Sequence, residues 1–88
     1  MTNKDDLYQK TLRIESVHGL GTAISNAYDR YVNNNEVMKE DMNKSSLEAW
    51  HLADQLYTCK NEQQITDIEN KLFTLKKRLL EIEPDAIF

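Results

Sequence analysis

The sequence predicts an all-α fold: a small three-helix bundle with a long N-terminal helix and a C-terminal antiparallel helical hairpin. A four-helix variant, with a short extra helix at 36–42, is also compatible with it. Three observations lead there. Helix breakers are scarce, with two glycines and one proline in 88 residues. Apolar residues recur three and four apart rather than in alternation. Polar capping residues and the proline stand where helices of that spacing would start and stop. The expected helices cover about 5–32, 46–58 and 62–82 within a single domain, 1–88.

The first helix starts at Thr2 paired with Asp5, or at Asp5 itself, and ends at the Asn33-Asn34-Asn35 run. Leu7, Ile14, Val17, Leu20, Ile24, Tyr28 and Tyr31 keep helical phase throughout. Gly19 and Gly21 each cost about 1 kcal/mol against alanine in a helix interior. Because the phase survives them, one long helix, straight or kinked, is expected in place of two. Gly19, Ala23 and Ala27 lie four apart and form a strip of small residues along which another backbone can approach.

The middle helix is expected to begin at Ser45 or Ser46, with Ser45 and Glu48 spaced as a capping box. Leu47, Ala49, Trp50, Ala53, Leu56 and Tyr57 would form its inner face. Thr58-Cys59-Lys60-Asn61 then leaves so short a connection that the next helix must run antiparallel. In the last helix Asn61 caps the first turn and Gln64 can reach back. Pro84 biases Glu83 away from helical angles and sets the end near Ile82. Between them Ile65, Ile68, Leu72, Leu75, Leu79 and Ile82 form an unbroken heptad seam. Phe73 and Leu80, each one position past a seam residue, widen that stripe enough for two neighbours.

Composition narrows the function. A 10.3 kDa chain buries only about 60–65% of its unfolded surface and is marginal alone. Its single cysteine, Cys59, excludes an internal disulfide and fits a reducing, cytoplasmic compartment. No apolar run approaches the roughly 20 residues of a membrane span, and residues 1–6 lack a signal-peptide core. With 11 basic against 15 acidic residues, the net charge of -4 disfavours gripping nucleic acid. The one basic cluster, Lys76-Lys77-Arg78, is followed at once by Glu81, Glu83 and Asp85. His18, His51 and Cys59 are not at ligand spacing, so no metal or cofactor is expected. There is no phosphate-cradling glycine loop and no carboxylate in an apolar setting, so catalysis is not expected either.

What remains is a binding module. A small acidic helical chain suits an inhibitor, immunity protein, antitoxin or phage-type regulator that occupies a partner protein's surface. Tyr28, Arg30, Tyr31 and Trp50 are the expected partner contacts, because tyrosine, tryptophan and arginine dominate interface hot spots. The wide last stripe, the small-residue strip and the apolar end Ala86-Ile87-Phe88 suggest a homodimer. Its expected interface comprises Gly19, Ala23, Ala27, Phe73, Leu80, Ile87 and Phe88. The alternative is an oligomer that holds an anionic nucleotide or metabolite between subunits at Tyr8, Lys10 and Arg13. A nucleic-acid-binding regulator ranks below both.

Overall fold

Three α-helices run up, down and up: α1 (Thr2–Tyr31), α2 (Lys39–Gln55) and α3 (Glu62–Ile82). The structure, a computed structural model, describes the backbone of residues 2–88 and the side chains of residues 7–88. The expected capping of α1 by Thr2 or Asp5 falls outside the described side chains. Short 3-10 turns, Val32–Asn34, Glu36–Met38 and Leu56–Thr58, lead out of α1, into α2 and out of α2. Among the described residues there is no strand, and no helix is long and apolar enough to cross a membrane.

α1 passes through Gly19 and Gly21 without a break, and neither glycine has a positive φ. At Gly21 the small side chain is a packing requirement. A Cβ built there would stand 2.8 Å from the Ala53 Cβ and 3.4 Å from the Ala49 carbonyl oxygen. The α1–α2 crossing therefore uses Gly21 against Ala49 and Ala53. Gly19 meets nothing within 4 Å, and Ala27 is buried inside this chain's own core. Within the expected Gly19-Ala23-Ala27 strip, Ala27 is therefore unavailable to another copy, and the close approach inside this chain lies at Gly21.

α3 follows from its sequence. Asn61 accepts a hydrogen bond from the Gln64 amide at 3.0 Å, and the Gln64 side chain accepts from the Lys60 amide at 2.6 Å. Ile65, Ile68, Leu72, Leu75 and Leu79 are buried along the seam, and Ile82 packs against the core from its edge.

α2 departs from expectation. It starts at Lys39, absorbing most of the suggested 36–42 helix, with no side-chain cap. Ser45 and Ser46 lie inside it and are buried. Both hydroxyls have tertiary partners: Arg78 donates to Ser45 at 3.3 Å, and Ser46 pairs with Ser25 at 2.9 Å. With those bonds available, the serines have no need to terminate the helix. The inner face accordingly consists of Met42, Ser45, Ser46, Ala49, Leu52, Ala53 and Leu56. Leu47, Trp50 and Tyr57 are exposed, which corrects their placement in the core. Small residues face α1 here because the two backbones are close.

Helix lengths differ enough to shape the molecule. At about 1.5 Å per residue, α1 (30 residues) spans about 45 Å and α3 (21 residues) about 32 Å. The longest dimension is 54 Å, against 21 and 16 Å across. Arg13 of α1 meets Glu62, the first residue of α3, at 3.5 Å. The turns of α1 that precede Arg13 therefore reach beyond the start of the α2–α3 hairpin.

Candidate functional site

The expected partner contacts divide into three fates. Tyr28 is 0% exposed and its hydroxyl donates to the Leu75 carbonyl at 2.6 Å. Burial pushes its phenol pKa up. It is a core residue that ties α1 to α3, not a partner contact.

Arg30 and Tyr31 hold the chain's own C-terminal segment. The Arg30 guanidinium donates to the Ile87 carbonyl at 2.8 Å, and the Tyr31 hydroxyl accepts from the Ile87 amide at 2.9 Å. Asn35 completes the corner, donating to the Tyr31 carbonyl at 3.0 Å and to Glu83 at 2.9 Å. Ala86 and Phe88 pack against the core, and Lys76 sits 5.1 Å from the Phe88 ring centre. The segment after Pro84 thus folds back over the end of the bundle, and of its apolar side chains only Ile87 is well exposed.

Trp50 does face solvent. It stands beside Leu47 on the rim of a recess of about 270 Å³ between α1 and α2, also lined by Thr22, Asn26 and Asp29. Farther on, in the turn that leads out of α2, Tyr57 packs its ring 5.3 Å from that of His18.

The anion-binding alternative loses its key cation. Arg13 makes hydrogen bonds of 3.1 Å to both carboxylate oxygens of Glu69, one of 3.2 Å to Thr66, and an ion pair with Glu62. The bond to Glu69 is the main cause of its raised pKa. An arginine already paired with two carboxylates is a poor anchor for a phosphate. Tyr8 and Lys10 also point to different sides: two residues apart on a helix, they do not share a face. The expected site at Tyr8, Lys10 and Arg13 is corrected to a surface tyrosine, a half-buried lysine and a structural ion pair.

Chemistry-bearing groups do not converge elsewhere. Among the described residues no three His, Cys, Asp or Glu side chains could hold a metal ion. Cys59 is buried, and that burial raises its thiol pKa, away from nucleophilic reactivity.

Apart from Val37 and Met38 in the turn into α2, large apolar side chains remain uncovered in two further places. Leu7 and Tyr8, on the projecting turns of α1, are 64% and 63% exposed, with Leu12 also exposed. Leu7 keeps helical phase with the buried residues of α1; only the length of α1 beyond the hairpin reveals that no described residue lies opposite it. The second place is α3, where Glu69, Phe73, Lys76 and Leu80 lie three and four apart on one stripe. Glu69 faces Arg13 and Lys76 sits over Phe88, so the stripe borders α1 and the folded-back segment. Phe73 and Leu80 are exposed on it.

An elongated helical bundle with uncovered apolar surface and no converging reactive groups is built to bind. No curated protein and no solved structure matches the chain significantly. The model of one protein family, described as bacterial epsilon antitoxin, matches residues 6–82. That match spans all three helices almost entirely, and the chain belongs to the bacterial epsilon antitoxin family, small antitoxins that act by binding a partner protein, the toxin.

Proposed function

We propose that this antitoxin works in the cytoplasm without catalysis, by covering its toxin with the projecting N-terminal turns of α1. The observation that carries this reading is the nearly two-thirds exposure of Leu7 and Tyr8 on a helix already past its own hairpin. A single helix is about 10–12 Å wide, narrow enough to enter a cleft that a whole bundle cannot. Apolar anchors on such a rod gain from burial at about 25 cal/mol per Å² of apolar surface. No described residue of the chain covers them, and a partner would.

The test is a double substitution, Leu7→Ser with Tyr8→Ser. Both side chains are exposed, so the melting temperature should stay within a degree or two. Affinity for the cognate toxin, measured by calorimetry, should fall at least tenfold, and toxin neutralisation with it. Unchanged affinity would end the reading.

The same proposal makes the working form a homodimer, joined along the α1–α3 stripe through Phe73, Leu80 and Ile87. What supports it is the exposure of all three apolar side chains in a chain of marginal size. Sedimentation equilibrium should give a dimer that Phe73→Glu with Leu80→Glu converts to a folded monomer. A wild-type chain that is monomeric at tens of micromolar would contradict it.

A further inference from the structure

We propose that the recess between α1 and α2 is a docking site for an arginine side chain carried by a protein partner. It lies farther along α1, at Thr22 to Asp29, than the projecting end and does not depend on that end meeting the toxin. Its floor is a chain of hydroxyls. Ser25 and Ser46 are both more than nine-tenths buried, with their oxygens 2.9 Å apart. The Ser46 oxygen stands 2.8 Å from Oδ1 of Asp29 and 3.2 Å from the Ser25 carbonyl.

Each hydroxyl has one proton to give. The shorter, charge-assisted bond takes the Ser46 proton to Asp29, and the Ser25 hydroxyl then donates to Ser46. The result is a carboxylate pinned through one oxygen by a buried relay, with its second oxygen uncommitted. Among the described residues Asp29 has no cationic partner in any ion pair.

The opposite wall selects the cation. Trp50 presents the aromatic ring best suited to a cation–π contact, and it lines the same recess as Asp29 and Asn26. A planar guanidinium can stack on the indole while directing N–H groups at a carboxylate and an amide oxygen; an ammonium group has no flat face for the stacking. An anionic occupant would be repelled by Asp29. An apolar one would bury that charge unpaired, at a cost of several kcal/mol. Leu47 adds an apolar rim beside the ring, of the kind that shields a central charged contact from water. The net charge of -4 favours approach by a basic surface.

Trp50 is the only tryptophan in the chain, so its fluorescence reports on the site. The full-length protein is titrated with N-acetylarginine amide, its lysine counterpart and the neutral isostere N-acetylcitrulline amide. In parallel, amide NMR follows the indole N–H and the Asn26 backbone. Arginine amide should give a saturable change at Trp50 and Asn26, with a midpoint at least fivefold below that of the lysine compound. Citrulline amide should give none. Asp29→Asn, which can still accept from Ser46, should raise the arginine midpoint at least fivefold with helical circular dichroism unchanged. Trp50→Leu, read at Asn26 alone, should do the same if Asp29→Asn fails to fold. Citrulline titrating like arginine, or midpoints unmoved in the folded variants, would overturn the proposal. So would a Trp50 signal that shifts with protein concentration alone, because the recess would then be filled by a second copy.

Discussion

Replacing Tyr28 by alanine should unfold the protein at ordinary temperatures. The side chain is fully enclosed, and truncating a large buried aromatic costs about 3–5 kcal/mol. A domain of this size has roughly that much stability in total. Circular dichroism should show lost helicity at 25 °C, with recovery only in a stabilising co-solvent. Tyr28→Phe separates the two contributions of the residue. It keeps the ring, loses the bond to the Leu75 carbonyl, and should cost about 0.5–1.5 kcal/mol. The pair also predicts an alkaline effect. Burial raises the Tyr28 pKa above its usual value of 10.0, so the folded state binds the phenolic proton more tightly than the unfolded chain. The stability this supplies is fully present below about pH 10 and is lost as pH climbs through the raised value. Tyr28→Phe should flatten that decline. A native-like Tyr28→Ala protein would mean the residue is not the core tie described above.

Alanine at the two glycines of α1 should move stability in opposite directions. Both sit inside a helix with ordinary backbone angles, so propensity alone favours alanine at each by about 1 kcal/mol. At Gly19 nothing opposes it, and Gly19→Ala should raise the melting temperature by several degrees. At Gly21 the new methyl would overlap the Ala53 Cβ and press on the Leu72 side chain. Overpacking of this kind costs about 1–3 kcal/mol, the opposing atoms belong to a short alanine side chain and a backbone, and Gly21→Ala should destabilise. Thermal melts of the two variants and the wild type decide the matter. Equal stabilisation at both sites would show that α1 and α2 are not packed this closely.

How much of this was legible in the sequence differs by element. α3 was fully readable because its determinants are local: Asn61 and Gln64 cap it, Pro84 ends it, and the seam is regular. The continuity of α1 was readable from unbroken phase across its glycines. α2 was misread because a serine pair before an apolar run looks the same whether it starts a helix or packs inside one. Only the positions of Ser25 and Arg78, remote in sequence, distinguish the cases. Among the expected partner contacts, Tyr28 was misplaced for a related reason. Tyr28, Arg30 and Tyr31 look like an interface patch when side chains are counted by type. In the fold, one faces the core and two reach the segment after Pro84, more than fifty residues away. Trp50 was read both as core and as contact; its exposure settles the first of these, since the small residues beside it are what α1 approaches.

The three-residue link Cys59–Asn61 has a kinetic consequence. α2 and α3 can find each other by closing a very small loop, an event on the scale of tens of nanoseconds for chains of this reach. Closure alone does not hold the pair: α1 packs more extensively on α2 than α3 does, so the hairpin is stabilised only when the long leading helix docks on it. Helical bundles with such short connections refold in about microseconds to milliseconds, so a copy unfolded by stress is soon able to bind again.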